Sequence, residues 1–276
     1  MFKGQEIVVI EEIHKNIWVV DEGAGLIYLV KGRNKCAVID TGFGFCDLPA
    51  LTRDIAGDMP TIVLNTHAHQ DHIWGNNMFE EAFMGCFDEP FALGCLAGIY
   101  VEKNEVYEGR SDFLKRGGIT LENWNPGCCK KINPLYAGDR LDLGGLSLEV
   151  YEIPGHTLGS IAFLERASGI LFTGDSLFTS DIWMHLREST RLSVFLRSLK
   201  KLRQDIHGIA TSLAVGHQKE NCPYLLPYQL TDNVINGISG ILNGIIVGVP
   251  ITTFQGGGLR ADFNSFGGVI YNSARL

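Results

Sequence analysis

The 276-residue chain has no excess of positive charge: 23 Lys and Arg stand against 31 Asp and Glu, a net charge of −8. Its adjacent lysines, Lys130-Lys131 and Lys200-Lys201, are isolated pairs. Without a basic stripe to release counterions from a phosphate backbone, a nucleic-acid partner is not expected. The start, Met1-Phe2-Lys3-Gly4-Gln5-Glu6, lacks the apolar core of a secretory signal, so the expected compartment is the cytoplasm. Seven cysteines, an odd number, are scattered without C-x-x-C spacing; in a reducing compartment they are expected as thiols. Cys128-Cys129 could bind metal in principle, but two sulfurs with no second pair read as structural. No apolar run is long enough to span a bilayer. Ile238 to Ile251 falls short and contains Gly240, Asn243, Gly244 and Gly248; small residues at every fourth position suit a buried or subunit-interface helix, which leaves a homo-oligomer open. Gly256-Gly257-Gly258, with no strand-turn-helix setting and no following Lys, is a loop and not a phosphate cradle.

Histidine is what the chain has in concentration. His67-Ala68-His69-Gln70-Asp71-His72 places three imidazoles and a carboxylate directly after Thr61-Ile62-Val63-Leu64-Asn65-Thr66, a β-branched, apolar stretch that reads as a buried strand. On extended chain His67 and His69 point to one side, while Asp71 and His72 lie past the strand end, where Gly75 and Asn76 mark a turn. One metal ion can take the first pair and another the second. Imidazole and carboxylate are ordinary ligands of zinc and its first-row neighbours, and packing gives no reason for such a density in apolar surroundings. Other candidates read two ways. His156, between Gly155 and Thr157, suits a ligand or an exposed turn; Asp175, after Ile170-Leu171-Phe172, suits a ligand or an N-cap; His217 opens a polar loop. His207 reads as a helix-end residue and His14 as solvated, while His185 reads as a surface residue with substrate contact as the alternative.

Along the chain, strands alternate with helices, without repeats or linkers. Ile17–Val20, Leu26–Val30 and Cys36–Asp40 read as a meander, followed by a helix from Leu48 to Ile55 and the strand that precedes the histidines. A second series comprises Asp142–Val150, Ser160–Leu164 and Ile170–Phe172, then a helix near 191–204 with Leu192, Phe195, Leu196, Leu199 and Leu202 on one face. Two strand series flanked by helices imply an α+β architecture of two packed sheets with helices outside. At this length, one domain covering residues 1–276 can bury a large core. Between them, about 74–137 is expected as a helical, aromatic-rich insert carrying Phe79, Phe83, Phe87, Phe91, Tyr100, Tyr107, Phe113, Trp124 and Tyr136. These rings either lid the histidine cluster or pack a subdomain of their own.

The H-x-H-x-D-H pattern after a buried strand resembles the signature of the metallo-β-lactamase superfamily. Pro154-Gly155-His156-Thr157-Leu158-Gly159-Ser160, Leu171-Phe172-Thr173-Gly174-Asp175-Ser176-Leu177-Phe178 and Val215-Gly216-His217 resemble the family's later ligand segments in order. The resemblance implies a four-layer αββα sandwich with metals at one edge. It also implies a dinuclear centre: His67, His69 and His156 on one ion, Asp71, His72 and His217 on the other, and Asp175 bridging both. Two divalent ions held roughly 3.5–4 Å apart lower the pKa of a shared water toward about 7, so that a metal-bound hydroxide is the expected nucleophile and no protein nucleophile is required. Asp175 and Asp71 are the expected catalytic carboxylates, the latter orienting the hydroxide. Asp40 is a candidate to fix a ligand imidazole, although Asp40-Thr41-Gly42 is equally good turn chemistry. Zinc is the expected metal, with iron or manganese as alternatives, since an all-N/O site discriminates poorly among them.

Departures narrow the resemblance. An Asp at 175, where zinc β-lactamases of the best-known subclass carry Cys, favours the glyoxalase II-like branch, and His69 stands where flavodiiron proteins carry Glu. Residues 218–276 end in a strand-like segment, Phe266-Gly267-Gly268-Val269-Ile270-Tyr271, unlike the glutathione-binding helical domain of glyoxalase II. The expected activity is hydrolysis of a small-molecule ester, thioester or lactone. The alternatives are a small-molecule phosphodiesterase and a non-catalytic metal-containing binding protein.

Overall fold

A computed structural model describes residues 5–95, 99–178, 180–219, 221–253, 256–263 and 267–276. Met1 to Gly4 and Phe266 of the strand-like C-terminal segment lie outside the described residues, as does the side chain of Tyr100. The chain divides into two units, Met1–Leu148 and Glu149–Leu276.

In the first unit, short apolar runs separated by Gly and charged turns become β1 (Val9–His14), β2 (Ile17–Asp21), β3 (Leu26–Lys31) and β4 (Cys36–Ile39), an antiparallel meander. β1 is exposed along nearly its whole length and its Glu11-Glu12 pair hides it from a hydrophobicity pattern. The helix α1 (Leu48–Ala56) starts where the Asp47 side chain accepts from Ala50 N at 3.0 Å and buries Leu48 and Leu51 against Val38 and Leu29. It leads to β5 (Thr61–Leu64), parallel to β4, and a short helix α2 (Gln70–Ile73) follows. The expected strand to Thr66 stops at Leu64, because Asn65 and Thr66 turn their polar groups into a buried network.

The aromatic segment holds β6 (Glu81–Gly85), α3 (Glu89–Cys95), α4 (Ile99–Gly109), α5 (Ser111–Arg116) and β7 (Lys131–Leu135). It is therefore not helical throughout: β6 and β7 extend the sheet in parallel, giving the order β1-β2-β3-β4-β5-β6-β7. Most of its rings build core. Trp124 is buried with Phe43, Phe45 and Trp74, its indole N–H donating to Phe43 O at 2.9 Å, and Phe91, Tyr107 and Phe113 pack on that cluster. Phe87 and Tyr136 are exposed. The unit ends with β8 (Arg140–Asp142) and the start of β9 (Ser147–Glu152), joined by a Gly144-Gly145 turn.

The second sheet runs β14-β13-β11-β10-β9-β8, with β10 (Ile161–Glu165), β11 (Ile170–Gly174), β13 (Ser212–Val215) and β14 (Leu225–Pro227) in the second unit. β11 and β13 are parallel, connected through β12 (Asp181–Met184) and α6 (Leu192–Asp205). α6 buries Leu192, Phe195, Leu199 and Leu202, the expected face. The expected helix at 238–251 is displaced: α7 is Leu230–Leu242, and β15 (Val249–Thr253) follows. Gly244 explains the stop. At φ +70° it lets Ile245 N reach back to Gly240 O at 2.8 Å, a left-handed cap that few other residues adopt. The triple glycine read as a loop opens β16 (Gly256–Asp262), which pairs with β15 and with β17 (Gly268–Tyr271). A third sheet, β12-β17-β16-β15, was not anticipated.

Candidate metal centre

In the first unit, the end of β5 and the turn of α2 bring the histidine cluster together. His67 Nε2 lies 3.1 Å from His69 Nδ1, and their rings meet edge to face with centroids 4.7 Å apart. The His67 and His72 ring centroids are 4.1 Å apart, and Asp71 Oδ1 is 3.9 Å from His72 Nε2. His67 and His72 are buried; His69 and Asp71 are partly open. The rings are not carried on extended chain as expected, for His67 and His69 lie in the loop between β5 and α2.

What aims these side chains is Asp40. Its carboxylate is 2% exposed and accepts from Thr66 N, Thr66 Oγ1 and His72 Nδ1, each at 2.8 Å. The bond to Asp40 puts the His72 proton on Nδ1, so Nε2 is the atom that could take a metal. Thr66 relays the same effect. Its hydroxyl proton goes to Asp40, so its oxygen accepts from His67 Nδ1 at 3.1 Å and Nε2 faces His69. Asp88, buried before α3, accepts from Ala68 N at 2.9 Å and fixes the backbone between His67 and His69.

A buried amide cage holds the other end. The His72 carbonyl accepts from Thr41 N at 2.8 Å, Asn65 Nδ2 at 3.0 Å and Thr41 Oγ1 at 3.2 Å; Asn76 Nδ2 in turn donates to Asn65 Oδ1, and Asn76 Oδ1 accepts from Thr41 Oγ1, both at 2.8 Å. The Asp-Thr-Gly turn therefore serves the cluster as well as the chain reversal.

In the second unit, Asp175 follows β11 and gathers two imidazoles: His217 Nε2 is 3.3 Å and His156 Nε2 is 3.6 Å from Asp175 Oδ2. His217 is placed by parallel pairing, with Gly216 N donating to Gly174 O at 2.9 Å at the ends of β13 and β11. His156 donates from Nδ1 to the Trp183 carbonyl at 2.8 Å, which again leaves Nε2 as the atom that could take a metal. Ser189 Oγ donates to His156 O at 2.8 Å, and Arg275 holds that loop through the carbonyls of Leu186, Arg187 and Ser189 at 2.5, 3.2 and 3.0 Å. A Cβ on Gly155 would lie 2.2 Å from the Phe195 ring, so only glycine lets the His156 turn sit on α6.

The donor chemistry fits divalent cations. The His67 and His69 nitrogens stand at a separation that suits two ligands of one ion at roughly 2.0–2.1 Å from each. The Nδ1 hydrogens of His67, His72 and His156 go to a hydroxyl, a carboxylate and a carbonyl, the usual support for a metal-bound histidine. His207 is exposed at the end of α6, and His14 is exposed in β1. His185 stacks edgewise on Trp183 at 5.5 Å, and burial lowers its pKa.

The metallo-β-lactamase superfamily model matches residues 20–85 and 130–216, more than half of the chain, and takes in His67, His69, Asp71, His72, His156 and Asp175, ending one residue before His217. The chain belongs to the metallo-β-lactamase superfamily. The unmatched residues 86–129 contain α3, α4 and α5. Among relatives, an acyl-coenzyme A thioesterase, MBLAC2, of Gallus gallus is 29% identical over 209 residues, covering 69% of this chain and 71% of the relative. A hydroxyacylglutathione hydrolase of Rhodospirillum rubrum is 33% identical over 156 residues, covering 56% of this chain and 48% of its own length. A solved metallo-β-lactamase from Pontibacter korlensis superposes with a TM-score of 0.60 at 14% identity, covering 84% of this chain and 99% of the other. The α+β metallo-β-lactamase fold expected from the sequence is thereby established, and the chain is a metal-dependent hydrolase. Among the described residues, no helix is long and apolar enough to cross a membrane.

Sequence reasoning missed Thr66, Asn65, Asn76, Asp88, Ser189 and the Trp183 carbonyl. For Asp88, a short polar residue between a strand and a helix was an available signal. The others act through backbone groups of distant segments, which no local pattern displays.

Proposed function

We propose that the chain is a dinuclear hydrolase of acyl thioesters. His67, His69 and His156 would hold one divalent ion, Asp71, His72 and His217 a second, and Asp175 would bridge them. The reading is carried by the way each unit aims its donors: the Nε2 atoms of His67, His72 and His156, each fixed by an Nδ1 hydrogen bond, face other candidate donors at 3.1–3.9 Å. Support for the substrate class comes from relatives whose names describe thioester cleavage, one of them matched over 69% of this chain.

Bound divalent ions supply Lewis acidity toward a carbonyl oxygen and activate water at neutral pH, as zinc, iron or manganese can. The chain's own residues do the rest. Asp40 keeps His72, and through Thr66 His67, in the ligating tautomer. Asp71, partly open, would orient the attacking water. Phe91, with its ring centroid 5.9 Å from that of His69, offers an apolar wall to an acyl chain. A thiolate departs without a dedicated acid, which suits a site whose polar groups are mostly committed to ligation. An amine leaves less readily.

The test is a substrate panel on protein loaded with zinc, manganese or iron. Acyl thioesters, and more weakly activated esters and lactones, are the expected substrates. Efficient cleavage of phosphodiesters or β-lactams with the acyl panel untouched contradicts the proposal, and silence toward every substrate by metal-replete protein favours a binding protein.

A further inference from the structure

β12 and β17 run parallel with Met184 beside Tyr271, so their chains leave the third sheet side by side. After β12 comes a turn at 186–189, closed by Ser189 N donating to Leu186 O at 3.2 Å. After β17, Asn272 caps a short helical turn, Ser273–Arg275, its side chain accepting from Ala274 N at 2.9 Å and its carbonyl from Arg275 N at 2.8 Å. The register therefore sets Arg275 against the 186–189 turn. Arg275 Nη1 donates to the carbonyls of Leu186, Arg187 and Ser189 at 2.5, 3.2 and 3.0 Å. Three carbonyl oxygens aimed at one point repel one another unless a cation lies between them, and hydrogen bonds from a charged donor are about twice as strong as neutral ones. Leu186 and Ser189 are buried, which limits replacement of the guanidinium by water. Arg275 lies outside the residues matched by the superfamily model, so family resemblance does not assign it a role.

The same segment clasps the His156 turn at three points. Trp183 O accepts from His156 Nδ1 at 2.8 Å, Ser189 Oγ donates to His156 O at 2.8 Å and lies 3.4 Å from Trp183 O, and Thr190 N donates to Gly155 O at 2.9 Å. Two of these contacts come from Ser189 and its neighbour, and the Ser189 carbonyl is one of those that Arg275 holds. We propose that Arg275 is a positioning residue for His156. By gathering the three carbonyls it fixes Ser189 and Thr190 against the His156 turn, which keeps the imidazole proton on the Trp183 carbonyl and Nε2 toward Asp175 Oδ2, 3.6 Å away. The consequence for metal affinity rests on the reading of His156 and Asp175 as donors to one centre; the placement of the imidazole does not.

Two measurements on the full chain test this. In metal-free protein at mildly alkaline pH, where a free imidazole is neutral, proton–nitrogen NMR of the histidine side chains reports which ring nitrogen is protonated; the signal absent from His156→Gln belongs to His156. Zinc affinity is read by competition with a colorimetric chelator. Wild-type His156 should carry its proton on Nδ1. Arg275→Met, which keeps the stem and loses the donors, should give mixed tautomers and a zinc affinity lower on the order of 10-fold. Arg275→Lys, whose ammonium brings three N–H groups to three acceptors, should restore most of both. Ser189→Ala cuts the link and should shift His156 as Arg275→Met does, which decides the matter if the latter does not fold. Arg203→Met, which breaks the 2.9 Å ion pair with Asp232 between α6 and α7, should move neither reading. An unchanged His156 signal in Arg275→Met or Ser189→Ala overturns the proposal. So does a Lys variant no better than Met, which would reduce the role to stem packing, or an equal effect in Arg203→Met. Protein that never retains zinc while its His156 signal moves as expected contradicts the metal-centre reading and supports the positioning role.

Discussion

On Asp40, three hydrogen bonds converge on one carboxylate, and the residue itself sits at φ +59°, a left-handed conformation that Asp tolerates better than most. Such backbone persists because the surrounding contacts over-determine it. Asp40→Ala removes the acceptor that selects the ligating tautomer of His72 and, through Thr66, of His67, so metal affinity is expected to fall roughly 10- to 100-fold in a competitive chelator titration. Asp175→Ala goes further: turnover is lost while the metal-free protein keeps its cooperative unfolding, because the donor belongs to the site and the core of its unit packs without it. Near-normal turnover in that variant rules out the bridging role. Glu22 gives a pH signature. It is fully buried, and burial raises its pKa from 4.5 to about 8 against the pull of the backbone N–H groups of Phe43, Phe45, Cys46 and Gly44. Between those values the unfolded chain has released a proton that the folded chain keeps, so stability declines as pH rises through about 5 to 8 and levels off above. Glu22→Gln, measured by denaturant unfolding of the metal-free protein, should lose that decline even where its overall stability is lower; parallel curves contradict it. The seven proposed donors could be picked from the sequence because imidazoles are scarce and their clustering has no packing rationale. Asn65, Asn76, Asp88 and Ser189 were not, since they look like any other turn residue until a distant backbone group arrives beside them.

Among the elements, the clearest in the sequence were those whose period matches their burial. α6 presents Leu192, Phe195, Leu199 and Leu202 to the core, and β10 and β11 are buried along their whole length. β1 and β16 gave no such signal, one being exposed and rich in Glu, the other opening on three glycines, and both owe their strand state to pairing partners. The apolar run at 238–251 hid two elements, because the cap at Gly244 is a backbone event and not a break in hydrophobicity. Element packing also sets a test. Gly155→Ala forces a methyl toward the Phe195 ring, so α6 or the His156 turn must shift at a cost of about 1–3 kcal/mol. A lowered denaturant midpoint with weaker metal binding is expected; an unchanged midpoint would mean that the turn and the helix move apart freely.

For the molecule as a whole, the superfamily and its α+β fold were readable from four short segments, whereas the third sheet and the division into two units were not. The reason is physical. Ligand chemistry restricts residue types at a few positions, but sheet membership depends on long-range pairing that alternation only hints at. Metal held only by the folded chain should stabilise it against unfolding by mass action. As proposed, two ions and these seven side chains make an acyl thioesterase. The rate of acyl thioester hydrolysis by chelator-stripped protein, followed against equivalents of added zinc or manganese, tests it most directly. A negligible starting rate, a rise that breaks at two equivalents and reversal by chelator are expected. A rate independent of added metal, or none at any loading, would contradict it.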